Sequence, residues 1–480
     1  MEIMRKYVYN ENKNRYQFSG GTMSTTIEEI VRRQRSFFAA GQTKEYKFRM
    51  KQLQNLAVRI HEYEADIFDA LKRDLNKAPF ECYATEIGIV LDEIRYMQKH
   101  LRKFMRPERV HTPITQFPAK SVRISEPYGV VLVMAPWNYP FQLAMCPLVG
   151  ALASGNCVVI KPSAYAPHTS KVIAKIIQEN FPAQLVSVVE GGREENTELL
   201  KQRFDYIFFT GGVNVGKLVM EAAAKHLTPV TLELGGKSPC IVDETADIRL
   251  TARRLVWGKY LNAGQTCVAP DYLLVQSTVG DKLIEMMKKE IRRQFGEEPL
   301  KNKDYVKIVN IKHMKRLQGL MRDTVILAGG RVSEELRKIE PTILGGVNGN
   351  SPVMQEEIFG PLLPVLTFEC IEEAVSFVNK REKPLALYLF TKSAQNEKKV
   401  LKNTSCGGGC VNDAVVHLAT PYMPFGGVGN SGMGSYHGKQ SFETFSHKKS
   451  IMKKALWLDI PLRYQPYRKI SLTLLKKIQK

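Results

Sequence analysis

Val130-Val131-Leu132-Val133-Met134-Ala135-Pro136 is a short apolar run that ends in turn residues, and three similar runs follow it. They are NCVVIKPS at 156–163, LVSVVEGG at 185–192 and DYIFFTGG at 205–212. Stretches with helical spacing of apolar residues, such as 168–179 and 215–226, separate them. Strands that are apolar throughout are buried on both faces. Their alternation with helices predicts a parallel sheet covered on both sides.

The same α/β character continues downstream. A second series begins near Gly235 and includes a strand at 273–275, a helix at 282–295 and a further strand-like segment at 361–368. Upstream, long amphipathic stretches run from Thr25 to about Phe104, and Thr25/Glu28 and Thr26/Glu29 stand at capping-box spacing. Pro107, Pro113 and Pro118 then break the helical pattern, and the alternation in SVRIS at 121–125 reads as a strand. Residues 1–22 have no apolar core of a signal peptide and read as an extension outside the fold. A chain of 480 residues exceeds one simple core. The expectation is two α/β lobes with a cleft between them.

Composition narrows the function class. Hydrophobic residues at 44% and charged residues at 24% are ordinary for a globular protein, whereas the net charge of +21 predicts a surface that attracts anions. The chain has neither zinc-finger spacing nor an RNP-type motif, so nucleic acid is not an expected partner. Cysteines at 82, 146, 157, 240, 267, 370, 406 and 410 are scattered, which fits a reducing compartment such as the cytoplasm, and no metal site is expected. Apolar runs long enough for a transmembrane helix are absent from the sequence. The end of the chain, ALWLDIPLRYQPYRKISLTLLKKIQK at 455–480, is basic and amphipathic, a pattern suited to weak peripheral contact with an anionic membrane.

Four segments carry chemistry. In APWNYP at 135–140, Asn138 follows an apolar run, and the carboxyl ends of parallel strands face the ligand crevice. In FTGGVNVG at 209–216, glycines between a strand and a helix let backbone approach a phosphate, although the spacing departs from GxGxxG. In ELGGKSP at 233–239, Glu233 ends a strand, where a carboxylate can serve as a general base. In NAGQTCVAP at 262–270, Cys267 offers a thiol nucleophile. Each has a plain alternative: a turn asparagine, a strand-to-helix turn, a solvated glutamate and an inert buried cysteine.

Taken together and in this order with EEIFGP at 356–361, these segments resemble the aldehyde dehydrogenase superfamily. GQTCVAPDY at 264–272 and PFGGVGNSGMGSYHGKQSFETFSH at 424–447 are similar to its class 3 members, the fatty and aromatic aldehyde dehydrogenases. The resemblance runs from about Met23 to near Lys454. It implies a Rossmann-like NAD(P)-binding domain at 23–107 and 127–233, and an α/β catalytic domain at 234–425. It implies a small β bridging and oligomerisation segment at 108–126 and 426–480, and a homodimer.

The resemblance also assigns roles. Cys267 would be the nucleophile, Asn138 an oxyanion donor and Glu233 the base that hydrolyses the thioester. Gly212, Val213 and Gly216 would lie along the pyrophosphate of NAD or NADP. Glu357 and Phe359 would meet the nicotinamide ribose, and Lys161 the adenosine ribose. Trp137 and Tyr139 are expected as walls of the cleft. A cysteine-dependent acyl reductase or esterase is the alternative chemistry on the same residues. Two positions depart from the family pattern: Gly212 replaces a common Ser, and Ala164 stands where many relatives carry Glu.

Overall fold

A computed structural model describes residues 6–10, 15–19, 26–467 and 469–479. Its first large sheet has six strands in the order Gly432–Met433, Val230–Glu233, Tyr206–Thr210, Val130–Met134, Cys157–Lys161 and Val186–Val188. All neighbours are parallel except the Gly432–Met433 edge. Val130–Met134 is buried along its whole length and sits in the middle, with Val133 paired to Ile160 on one side and Phe208 on the other. The chain leaves this strand toward Val186–Val188, then crosses back to Tyr206–Thr210. Such a reversal opens a crevice at the carboxyl ends of the two strands that flank it.

Helix Gln142–Ser154 is buried on every face, which its all-round apolar sequence requires. At the start of helix Ile27–Ala39, the Thr26 side chain accepts from Glu29 N at 3.2 Å, as the capping spacing predicts. Thr25 lies outside the described residues.

The second sheet has seven strands in the order Val325–Ala328, Thr342–Gly345, Leu362–Phe368, Tyr272–Gln276, Pro239–Val242, Ala386–Phe390 and Gly408–Val411. Only Val325–Ala328 is antiparallel to its neighbour. A third, antiparallel sheet joins Ser446–Lys454, Ala119–Pro127 and Glu108–Val110.

One expectation needs correction. Residues 426–445 do not belong with the bridging strands. Gly432–Met433 closes the edge of the first sheet against Val230–Glu233, and helix Lys439–Thr444 packs on Gln142–Ser154. The reason is backbone proximity. A Cβ on Gly432 would stand 2.2 Å from Leu232 O, and one on Gly150 would stand 2.9 Å from Ser441 Cβ. Within the N-terminal extension, Lys6–Asn10 and Arg15–Ser19 pair as an antiparallel hairpin in a sheet of their own; residues 1–5, 11–14 and 20–22 lie outside the described residues. Among the described residues, no helix is long and apolar enough to cross a membrane.

Candidate active site

The turn that carries Cys267 follows helix Ile248–Tyr260, and its backbone is unusual. Asn262, Ala263 and Gly264 take positive φ of 52°, 52° and 70° in succession. Left-handed residues other than glycine cost about 1–2 kcal/mol each, so this turn needs support. Asn262 N donates to Glu81 Oε1 at 3.0 Å. Asn262 Nδ2 donates to Asn138 O at 2.9 Å and to Gln265 O at 3.1 Å. Gln265 donates to Asn262 O and Lys307 O and accepts from Val309 N. Gly264 is obligatory, because a Cβ there would lie 2.2 Å from Gly360 O. The GQTC and EEIFGP segments therefore meet backbone to backbone.

Cys267 opens on the cleft. Burial pushes its thiol up to about 12, and the nearby Glu357 and Glu233 carboxylates push in the same direction. Glu233, at the end of its strand, is buried, and among the described residues neither of its oxygens has a hydrogen-bond partner. Burial raises its carboxyl well above the usual carboxylate range. The glycine pair beside it makes room for Glu357: a Cβ on Gly235 would stand 2.1 Å from Glu357 Oε2. Burial first, and then Asp271, bring the Glu357 carboxyl up to about 8.

Asn138 is held from behind by residues that the sequence did not single out. Lys77 and Glu86 form a wholly buried ion pair at 2.6 Å. Lys77 Nζ also donates to Asn138 O at 3.0 Å and lies 4.0 Å from the centroid of the Tyr139 ring. Glu86 Oε2 accepts from Phe141 N at 3.0 Å and Gln142 N at 2.9 Å, at the start of the buried helix. Tyr139 shares a 2.7 Å hydrogen bond with Thr266, and Asn138 Nδ2 donates to Gln265 O at 3.1 Å. The asparagine segment is thus fastened to the turn that carries Cys267.

Lys237 does the same for EEIFGP. It pairs with Asp271 and donates to Val353 O and Glu356 O, while Asp271 Oδ1 accepts from Ile358 N at 2.9 Å.

These segments converge on one cleft of 1210 Å³. Of the expected site residues, Asn138, Gly212, Val213, Glu233, Cys267, Glu357 and Phe359 line it. Trp137 also lines it, 5.3 Å centroid to centroid from Phe359, whereas Tyr139 is buried behind the wall. Gly216 and Lys161 are placed differently. Gly216 is a packing glycine, since a Cβ there would stand 2.7 Å from Leu234 Cδ2. Lys161 is buried, with Nζ donating to Pro162 O at 2.8 Å and Gly191 O at 2.7 Å, and burial lowers it to about 8.

The cleft suits a nicotinamide dinucleotide. Glu357 Oε1 and Thr210 Oγ1 are buried there without a partner among the described residues. Nothing lies within 4 Å of the Cβ position on Gly212, so the start of helix Val213–Ala224 is open to a phosphate.

Comparison with known proteins agrees. The sequence pattern described as "Aldehyde dehydrogenase family" matches residues 12–451. The chain belongs to the aldehyde dehydrogenase family. It is 49% identical over 444 residues to the 4,4'-diaponeurosporen-aldehyde dehydrogenase of Staphylococcus aureus, covering 92% of this chain and 97% of that protein. It is 48% identical to the dimeric NADP-preferring aldehyde dehydrogenase of Canis lupus familiaris, covering 92% and 98% of the two chains. The solved structure of Staphylococcus aureus AldH in its substrate-bound state superposes with a TM-score of 0.93 at 48% identity, over 95% of this chain and 99% of that one. This aldehyde dehydrogenase is accordingly an NAD(P)-dependent oxidoreductase that acts on aldehydes.

Removing one partner of a buried ion pair leaves the other charge stranded, a loss of about 3–5 kcal/mol. Lys77→Met should destabilise the enzyme by that amount in chemical denaturation. Lys77→Met with Glu86→Leu should recover part of the stability but not the turnover, because Asn138 O keeps only its Asn262 donor and loses the one from Lys77.

Proposed function

We propose that this enzyme oxidises medium- or long-chain aliphatic or aromatic aldehydes to carboxylic acids through a thioester on Cys267. The observation that carries this reading is a thiol and an unpartnered carboxylate, Cys267 and Glu233, opening on one cleft. Cys267 releases its proton to solvent, and the thiolate Sγ attacks the aldehyde carbon and forms a thiohemiacetal oxyanion. The remaining N–H of Asn138 Nδ2 and the Cys267 N–H stabilise that oxygen; one such donor contributes about 3–4 kcal/mol. Bound NAD(P)+ supplies the hydride acceptor. Glu233 then takes a proton from water, which attacks the thioester and releases the acid. A base beside the nucleophile favours this course over an acyl reductase or a simple esterase.

Gly212 and Val213 would hold the pyrophosphate, and Glu357 and Phe359 the nicotinamide ribose. The first sheet would thus belong to the cofactor domain and the second to the catalytic domain. The name of the canine relative supports a homodimer, and the antiparallel edge strand Ser446–Lys454 offers a second copy a surface for sheet extension. The tail supports peripheral membrane contact of an otherwise cytoplasmic enzyme: helix Lys469–Ile478 exposes Ile470, Leu472, Leu474 and Leu475 beside Lys469, Lys476 and Lys477.

Cys267→Ala should abolish turnover while cofactor still binds. Glu233→Gln should let an acyl adduct accumulate on Cys267, visible by mass spectrometry. The wild-type rate should rise with pH through the raised Glu233 ionisation, and that limb should vanish in the variant. The sign for stability is opposite. The folded state holds this proton more tightly than the unfolded chain, so stability is lost as pH rises above the ordinary carboxylate value toward the raised one. Glu233→Gln should therefore melt above wild type at pH 8. Near-normal turnover in Cys267→Ala would overturn the mechanism.

Cofactor choice follows from Ala164, which is exposed and presents no carboxylate to repel a 2′-phosphate. The ratio of kcat/KM should be equal for the two cofactors or favour NADP+. Ala164→Glu should move it toward NAD+. A native preference for NAD+ above about a hundredfold, nearly 3 kcal/mol, would place discrimination elsewhere.

Sedimentation checks the assembly and the tail. The velocity run should give about twice the 54.4 kDa chain mass. Full-length protein should pellet with anionic vesicles more than a chain ending at Leu458, and equal pelleting would remove the tail as anchor.

A further inference from the structure

A strained loop is tied to the turn that carries Cys267 through one buried phenol. We propose that Tyr388 is a positioning residue for the Cys267 thiol, acting through the Val268 carbonyl that its hydroxyl holds. The proposal rests on Cys267 being the nucleophile.

Tyr388 lies in the strand Ala386–Phe390, paired with Cys240 and Cys410, and is wholly buried. Its hydroxyl donates to Val268 O at 2.6 Å. The Val415 N–H faces the same hydroxyl. Val415 takes φ 70° and ψ −41°, and Val416 N donates to Ala414 O at 2.8 Å, closing a one-residue turn of the rarer hand. A β-branched residue seldom adopts that conformation, and such strain costs about 1–3 kcal/mol unless its surroundings impose it. Here they do. Ala414 packs on Gly258, where a Cβ would stand 2.7 Å from Ala414 Cβ. Gly258 is in the helix that leads into the nucleophile turn. The loop around Val415 therefore grips that turn at both ends: at the helix before it and, through Tyr388, at the residue after Cys267.

The grip reaches the sulfur. The Cys267 and Val268 N–H groups are the backbone donors that face the thiol and favour its ionised form, against Glu357 and Glu233. The held carbonyl is on the peptide that follows the one whose N–H faces sulfur, so Tyr388 restricts rotation at Val268 and steadies that N–H toward sulfur. Loss of the hydroxyl frees that carbonyl without removing ring volume.

The test is Tyr388→Phe in the full-length enzyme. The rate of Cys267 alkylation by iodoacetamide is followed against pH by mass spectrometry, alongside kcat and KM. The alkylation midpoint should rise by about one pH unit, a tenfold loss of thiolate below it. The kcat should fall about tenfold, with KM for NADP+ changed less than about twofold. A variant that melts lower but keeps the wild-type alkylation profile has lost only packing, and that outcome overturns the proposal. The alkylation midpoint does not depend on turnover, so it separates failure of this inference from failure of the proposed mechanism. If Tyr388→Phe does not fold, Ala414→Gly removes the methyl that packs on Gly258 and loosens the loop with the hydroxyl retained. It should raise the same midpoint, and an unchanged midpoint there also overturns the proposal.

Discussion

A charge pair sealed from water, Lys77 with Glu86, fixes the geometry from which the rest of the site follows. Neither ion could stay buried alone, and together they exhaust most of their hydrogen-bonding capacity on backbone. The ammonium holds Asn138 O, and the carboxylate holds the first amides of the most buried helix in the first lobe. Burial on this scale contributes little net stability. What it supplies is position: the strand Val130–Met134 can end in only one way, with the Asn138 amide against the turn that carries Cys267.

The cleft is assembled from opposite ends of two sheets. Asn138, Gly212 and Glu233 follow the strands of the first sheet, at their carboxyl ends. Cys267 and Glu357 precede strands of the second, ahead of Tyr272–Gln276 and Leu362–Phe368. One lobe therefore presents its strand exits and the other its strand entries. Lysines brace both sides, the buried Lys77 in the first and the half-buried Lys237 in the second. The carboxylate oxygens without partners among the described residues, both of Glu233 and one of Glu357, belong to side chains that line the space between.

Much of this was legible in the sequence, and the exceptions have physical causes. Four apolar runs announced the first sheet because strands buried on both faces cannot carry polar residues. The motif residues Cys267, Glu233, Asn138 and Glu357 could be chosen because several motifs occur in one order. Lys161 and Gly216 lie off the cleft wall, because a motif gives neighbourhood, not direction. The lysine turns to two carbonyls, and the glycine turns inward to Leu234. Lys77 and Glu86 left no signal, since charged residues in an amphipathic stretch ordinarily face water. Gly432–Met433 was too short a strand to read; only its positive φ and closeness to Leu232 O make it an edge.

The contact of Gly264 with Gly360 O has one more consequence. It makes the thiol and the Glu357 carboxylate parts of a single rigid block, and the bonds between Asn138 and Asn262 and Gln265 join the facing lobe to that block. A hinge between lobes cannot run through the reacting atoms without breaking all of these at once. Traffic into the site must therefore pass along its flanks, with ligands threading past a centre that keeps its dimensions whether the cleft is filled or empty.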